Sequence, residues 1–351
     1  MSRVSQPVRV LIVDDSVFNR RSIAGILATS PAIEVVGRAA DGEEALRLVS
    51  ALKPDAITLD LEMPKMDGFT FLRILMTRMA TPVIVVSSYS QKENVFKALE
   101  LGALDFVAKP DRFTDPELDA IREELVKKVL LTRAMRMPAP RGAPMPAESV
   151  RSPRPAAVGA RPAPERVIAI ASSTGGPSAL IEVFSRLPSG YPHGVVIAQH
   201  MPDKFTRTFA ERLDRRSALG VSEAQDHDVL YAGTAFVCPG RHCMDLEAAP
   251  RGRYRVRVGP AAESDRYVPS ADRLLRTAAL SAGSRAVGVV LTGMGDDGVA
   301  GARAIMEAGG IVLAESETTA VVYGMPGAAV RAGVVTWVLP LGEIAAYLAR
   351  L

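Results

Sequence analysis

From the N-terminus onward, short runs of consecutive apolar, often β-branched residues alternate with stretches in which apolar side chains recur every three or four positions. VRVLIVD, IEVVGRA, DAITLD, PVIVVSS and DFVAK are of the first kind and read as strands of a parallel sheet buried on both faces. SVFNRRSIAGILATS, GEEALRLVSAL, MDGFTFLRILMTRM and KENVFKALELG are of the second kind and predict amphipathic helices, with a last helix at roughly 115 to 133. Five strands alternating with helices over residues 8 to 126 describe a doubly wound (βα)5 unit of the α/β class.

Between 134 and 165 this pattern disappears. The segment MRMPAPRGAPMPAESVRSPRPAAVGARPAP is rich in Pro, Ala and Arg and has no apolar period. Such a composition cannot bury enough surface to offset the entropy of ordering, so a solvated, partly extended linker is predicted. The alternation then returns with RVIAIAS, GVVIAQH, AVGVVLTG, GGIVLAE and VVTWVL, separated by helical stretches such as PSALIEVFSRL and DKFTRTFAERLDRR. From about 221 to 260 short strands and turns follow one another without a long helix. Residues 166 to 351 thus predict a second doubly wound, mainly parallel α/β domain with a small β excursion. A chain of 351 residues has room for two such domains, each with its own core.

The overall charge of +3 changes this picture little once it is located. Between Arg133 and Arg166 seven arginines face two glutamates, a local +5, so the rest of the chain sums to about −2. Neither folded part carries the basic footprint of a nucleic-acid-binding domain, and no nucleic-acid partner is expected. The apolar stretch of MSRVSQPVRVLIVDD is too short for a signal-peptide core and ends in two aspartates, and no run of about 18 apolar residues occurs. A cytoplasmic monomer without membrane insertion is the expectation. The only cysteines, Cys238 and Cys243, are read as buried thiols in a reducing compartment.

Candidate chemistry lies where the strands end, because ligands of a parallel α/β sheet bind beyond the carboxyl ends of its strands. In the first unit those ends carry Asp14 and Asp15, then Asp60, Ser87 and Lys109. Three carboxylates in one crevice repel each other and call for a hard divalent cation such as Mg2+. A lysine and a hydroxyl beside them would complete a phosphate site, and one carboxylate could act as a nucleophile toward a phosphoryl donor. Taken singly, each acid could equally be an ordinary loop carboxylate or a helix cap.

Taken together, VDDS (13–16), LDLEMPKMDG (59–68), VVSS (85–88) and KP (109–110) resemble response-regulator receiver domains. The resemblance implies that Asp60 accepts the phosphoryl group and that Asp15, Asp60 and the Glu62 carbonyl bind Mg2+, with Asp14 helping. It also implies that Lys109 contacts the phosphoryl group, that Ser87 follows it as the switch hydroxyl, and that Phe106 is the aromatic that reorients. Ser87 stands where many receivers have Thr, which keeps the hydroxyl.

In the second unit, RVIAIASSTGGPSALIEVF reads as a strand, a turn of small residues and a helix, with Pro177 at its first position. Ser173 falls in that turn, a context similar to a nucleophile elbow with Ala171 at the leading Gly position. The free N–H groups of the helix start could hold an oxyanion. Within this segment alone, Ser172, Ser173, Thr174 and Ser178 read equally well as helix caps, or the glycines as a phosphate cradle, although no Walker lysine follows.

A serine nucleophile needs a base, and of His193, His200, His227 and His242 only His200 ends a buried strand. His193 precedes that strand at its other end and is expected on the surface. His227 and His242 are read as structural, with His242 able to line a pocket. For the orienting carboxylate, AVGVVLTGMGDDG offers Asp296 and Asp297 beyond another strand. Asp272 and Asp265 sit near a helix start, where capping explains them. Ser173, His200 and Asp297 are the set preferred.

The motifs ASSTGG, QHMP, PSAD and LTGMGDDG, behind a receiver, resemble the catalytic domain of the CheB family of chemotaxis protein-glutamate methylesterases. The resemblance implies Ser173 as nucleophile, His200 as base then acid and Asp297 as its partner, with Thr174 and the Met294 N–H in the same pocket. It implies glutamyl methyl esters of chemoreceptors as substrates, released as methanol, and deamidation of glutamines on the same receptors. It further implies a chemotaxis-type histidine kinase as phosphodonor and no cofactor for the esterase. Two departures stand out: many relatives carry a histidine near the position of Tyr267, and Asn is frequent where Asp296 stands. A receiver that covers the esterase cleft until Asp60 is phosphorylated is the expected mode of control. The rival readings are a non-catalytic docking module and a transcriptional regulator, the latter disfavoured by the neutral-to-acidic C-terminal half.

Overall fold

The computed structural model describes residues 6–79, 81–88, 92–109, 115–134 and 162–351. The chain divides into two compact units, residues 1–145 and 146–351. Most of the expected linker, 135 to 161, lies outside the described residues.

In the first unit five strands, β1 (Val8–Val13), β2 (Ile33–Ala39), β3 (Ala56–Leu59), β4 (Val83–Ser88) and β5 (Asp105–Lys109), pair in parallel in the order β2-β1-β3-β4-β5. Helices α1 (Val17–Leu27), α2 (Gly42–Leu52), α3 (Gly68–Arg78), α4 (Lys92–Glu100) and α5 (Asp115–Leu131) connect and follow them. Helix starts are set locally: the side chains of Ser16, Asp41 and Asp67 accept hydrogen bonds from the backbone N–H groups of Asn19, Glu44 and Thr70. The chain leaves β1 toward β2 on one side and resumes at β3 on the other, so a crevice opens between the ends of β1 and β3.

In the second unit seven parallel strands form the main sheet in the order β15-β14-β13-β6-β7-β10-β8. They are β6 (Val167–Ser172), β7 (Gly194–Gln199), β8 (Gly220–Glu223), β10 (Thr234–Val237), β13 (Ala286–Val290), β14 (Ile311–Glu315) and β15 (Trp337–Leu339). Strands β9 (Val229–Leu230), β11 (His242–Ala249) and β12 (Arg253–Pro260) form a separate antiparallel sheet. The expected β excursion is therefore these three strands, whereas β8 and β10 extend the main sheet. Helices α6 (Gly176–Phe184), α7 (Asp203–Arg216), α8 (Ala271–Ala282), α9 (Val299–Glu307), α10 (Met325–Arg331) and α11 (Leu341–Leu348) complete the unit.

Every residue of β6, β7 and β13 is buried, as runs of apolar residues covered on both faces require. The segment VVTWVL behaves differently: only 337–339 pair, at the sheet edge, and Trp337 stays 55% exposed. His193 is not on the surface, contrary to the sequence-based expectation. It is fully buried, edge-on to Tyr191, whose hydroxyl donates to the Leu348 carbonyl of α11, while its own carbonyl accepts from Gly233 N. Residues far away in sequence cover this end of β7, which the local pattern around His193 does not disclose.

Candidate functional site

In the first unit the ends of β1 and β3 bring Asp14, Asp15 and Asp60 together, with one carboxylate oxygen from each within 4.8 Å of the others. Lys109, at the end of β5, reaches across to donate to Asp14 Oδ2 at 2.8 Å and to Asp60 Oδ2 at 2.5 Å. Asp14 is fixed further by Ser16 N and Asn19 Nδ2 on its Oδ1, and Leu61 N donates to Asp60 Oδ1. Burial pushes the Asp60 carboxyl up, the Lys109 ammonium pulls it back, and Asp14 adds to the rise. Burial works against the Lys109 charge, but the two carboxylates outweigh it and hold this amine above its ordinary value. Such a concentration of acid oxygens fits a hard divalent cation. The Glu62 side chain accepts from Asn94 Nδ2.

Ser87 is buried on β4, in register with Ala108, one residue before Lys109. Phe106 is 2% exposed, edge-on to Phe96 of α4 with ring centroids 6.3 Å apart. Lys128 of α5 sits over the Phe106 ring and donates to its carbonyl, while also pairing with Asp105 and Glu124. Nothing in the local pattern around Lys128 singles it out.

In the second unit three neighbouring strands, β7, β6 and β13, end at one rim. Ser172 on β6 is in register with Gln199 on β7, and Ala171 with Val290 on β13. Ser173 and His200 are the next residues of adjacent strands, roughly 5 Å apart in the sheet direction. His200 N donates to the Ser172 carbonyl and Ser173 N to the Thr292 carbonyl, which fixes all three ends. The Ser173 turn leads into α6 through Gly175, its N-cap, with no side-chain capping bond and Pro177 second in the helix. The serine and threonine hydroxyls are thus not its caps.

Gln199, which the sequence analysis passed over, braces this turn from inside. It is 1% exposed; its Oε1 accepts from Ser172 Oγ at 2.7 Å and its Nε2 donates to the carbonyls of both Ser173 and His200 at 2.9 Å. A Cβ at Gly176 would run into the Gln199 amide, so this position needs glycine for close approach. The one available signal was a lone amide at the end of the apolar run GVVIAQH.

Asp297, 1% exposed, accepts His200 Nε2 at 2.8 Å. It also accepts Ala271 N and Asp272 N, each at 2.8 Å. Those two N–H groups are the first of α8, so the carboxylate sits at a positive helix terminus. A carboxylate oxygen only accepts, so Nε2 carries a proton, and in the neutral ring Nδ1 is the nitrogen with the lone pair. Among the described residues no hydrogen bond joins Ser173 Oγ to the ring, and the N–H groups of Thr174 and Met294 have no partner. Thr174 itself is buried, with its carbonyl taking the Thr292 hydroxyl.

The side chains of the other candidates bond elsewhere than to the His200 ring. Asp296 is exposed and bonds Arg266 and the Tyr267 hydroxyl. Asp272 accepts from Gly301 N, Asp265 pairs with Arg273, and the cap of α8 is Ser270. His227 lies beside Asp226 at the surface, and His242 bonds its Nδ1 to the Gly240 carbonyl. Cys238 and Cys243 are buried, and burial pushes both thiols up, well up for Cys238, which removes them as ready nucleophiles. Among the described residues no helix is long and apolar enough to cross a membrane.

Two known families match separate parts of the chain. Family models described as "Response regulator receiver domain" and "CheB methylesterase" match residues 10–120 and 168–348. The chain is 48% identical over 346 residues to protein-glutamate methylesterase/protein-glutamine glutaminase 1 of Myxococcus xanthus (strain DK1622), covering 98% of this chain and 97% of that one. It is 46% identical over 357 residues to protein-glutamate methylesterase/protein-glutamine glutaminase 3 of Geobacter sulfurreducens (strain ATCC 51573 / DSM 12127 / PCA), covering 96% and 95%. The crystal structure of the Thermotoga maritima CheB methylesterase catalytic domain superimposes with a TM-score of 0.51 at 36% identity, covering 53% of this chain and 97% of that one. With a receiver ahead of a methylesterase domain and full-length identity of this order, the chain belongs to the CheB methylesterase family.

Proposed function

We propose that the second unit is a serine esterase that hydrolyses glutamyl methyl esters on chemoreceptors and deamidates receptor glutamines, and that the first unit switches it through phosphorylation of Asp60. The observation that carries this reading is the His200 ring held by Asp297 beside the Ser173 turn, at the ends of neighbouring strands. Ser173 Oγ attacks the ester carbonyl while His200 Nδ1 takes its proton. Asp297 steadies the imidazolium that results. The tetrahedral oxyanion is received by the Thr174 N–H in the turn before α6 and the Met294 N–H in the loop after β13. Collapse expels methanol, protonated by His200; water, deprotonated by the same nitrogen, then attacks the acyl-enzyme and frees Ser173 and the glutamate. With glutamine in place of the ester the leaving group is ammonia.

In the first unit Asp60 is the phosphoacceptor, supplied by a chemotaxis-type histidine kinase. Asp15, Asp60 and the Glu62 carbonyl, with Asp14 nearby, would hold Mg2+, which when bound offsets the charge of carboxylates and phosphoryl oxygens. Lys109 is placed to pair with the phosphoryl group, and Ser87 and Phe106 are the residues that respond to it. The protein acts in the cytoplasm as a monomer.

The test is methanol release from methylated receptor fragments, with and without a small acyl phosphate as phosphodonor. Wild type should respond to the donor, and Ser173→Ala should take up phosphate at Asp60 yet lose turnover by about 10⁴-fold or more. Equal rates with and without donor would remove the regulatory half of the proposal. Turnover surviving in Ser173→Ala would remove the catalytic half.

A further inference from the structure

We propose that Tyr267 is a positioning residue for His200, and that the stretch Arg266–Asp272 aligns both partners of the Ser173 nucleophile from one side. The inference rests on the reading of Ser173 and His200 just given and extends it to a part of the chain with no assigned role.

The Tyr267 ring lies flat against the His200 imidazole, with centroids 5.3 Å apart and planes inclined by 8°. Its own position is fixed at the far end: the hydroxyl donates to Asp296 Oδ1 at 3.1 Å, and Arg266, whose guanidinium lies 5.5 Å from the same ring, pairs with Asp296 Oδ2 at 3.3 Å. Gly295 makes room for this. It has a φ of +91°, and a Cβ there would come within 2.6 Å of the Tyr267 hydroxyl oxygen. Four and five residues beyond Tyr267, the N–H groups of Ala271 and Asp272 grip Asp297.

The imidazole is therefore held on two sides that share one origin. Asp297 fixes Nε2 in the plane of the ring, and Tyr267 limits rotation out of that plane. What remains open is Nδ1, the nitrogen that must face Ser173 Oγ. An in-plane hydrogen bond alone leaves a ring free to rock about that bond; a flat partner across its face removes that freedom. The same phenol face also favours the cation formed when His200 takes the serine proton. Misplacement of a catalytic group by a fraction of an ångström is costly for rate and leaves receptor binding untouched, which is what separates this role from a docking role.

The experiment measures two quantities on the full-length protein: methanol release from methylated receptor fragments, and the rate at which a fluorophosphonate ester labels Ser173. In the labelling reaction Ser173 Oγ forms a bond to phosphorus, fluoride leaves and His200 takes the proton, so it reads nucleophile activation without receptor docking. Tyr267→Leu, which fills similar space without a flat face, should lower both kcat and labelling about tenfold and leave KM within about twofold. Tyr267→Phe, which keeps the ring, should recover labelling to within about threefold of wild type. Should Tyr267→Leu fold poorly, Tyr267→Phe and Tyr267→Trp carry the comparison, both retaining a flat face and both expected near wild type. Wild-type labelling in Tyr267→Leu, with or without a raised KM, overturns the proposal alone, as does Tyr267→Phe labelling as slowly as Tyr267→Leu. A wild-type protein that takes no label at residue 173 overturns the reading of the site and this proposal together.

Discussion

Two crevices at the ends of parallel strands serve this chain, and they are electrostatic opposites. In the first unit three carboxylates share one space and Lys109 pairs with two of them, Asp14 and Asp60. In the second, one buried carboxylate has its needs met by an imidazole and two backbone N–H groups of α8. The first arrangement is charge-frustrated: burial and Asp14 push Asp60 up, and Lys109, helped by the Leu61 N–H, offsets them. A site in that condition responds strongly to whatever changes its charge, a cation or a phosphoryl group, and that suits a switch. The second has its carboxylate and imidazole matched before any substrate arrives, and that suits a catalyst. The same strand-end geometry thus yields a responsive site or a fixed one according to whether like or complementary groups are gathered there.

Breaking the fixed site should produce the largest effect. Asp297→Asn exchanges a three-bond acceptor for an amide that cannot accept on both ends, so His200 loses the tautomer that leaves Nδ1 free. Methanol release should fall about 10⁴-fold, checked by turnover, and thermal unfolding should show a melting temperature lower by a few degrees because a buried donor at Asp297 loses its acceptor. A rate within tenfold of wild type would show that the carboxylate does not orient the ring.

Breaking the responsive site should show in stability instead. Lys109→Met leaves Asp14 and Asp60 side by side with no cation, which should lower the stability of the first unit by about 3 kcal/mol in chelator-containing buffer. Mg2+ at about 100 times its dissociation constant should restore about 2.7 kcal/mol. Denaturant melts followed in each buffer decide it; a loss that Mg2+ does not reverse would mean that the carboxylates are not its ligands.

The smallest effect expected concerns His193, which takes no part in either site. Burial holds its pKa below the ordinary value, with nearby Glu165 and Arg166 acting in opposite directions. The unfolded chain binds a proton below about pH 6.5 where the folded chain resists it. The stability tied to the neutral ring is therefore complete above that pH and is lost as pH falls from there toward the depressed folded value. Melting temperatures of wild type should drop more between pH 7 and pH 5.5 than those of His193→Phe. Parallel pH curves would sharpen the contrast by assigning acid sensitivity to the carboxylate crevice alone.

Some of these features were legible along the chain and others were not, for reasons visible at particular residues. Asp60, Lys109, Ser173 and His200 each follow a run of buried apolar residues, so position after a strand already aims them at the rim. Asp296 and Asp297 are neighbours in sequence with nearly the same local surroundings, yet one is exposed and the other 1% exposed. What separates them is α8, whose first N–H groups come from 25 and 26 residues earlier. Tyr267 likewise sits in an irregular stretch with no period to announce a ring stacked on His200.

The amino-acid order alone determined two doubly wound α/β units, their strand ends and the residue types delivered there, because apolar periodicity and turn chemistry act over a few residues. Only the tertiary structure decided which carboxylate meets the imidazole, that Gln199 and Tyr267 frame it, and that His193 is buried. Those outcomes depend on which distant elements pack together, and hydrogen bonding and burial are set by neighbours in space that no local pattern encodes.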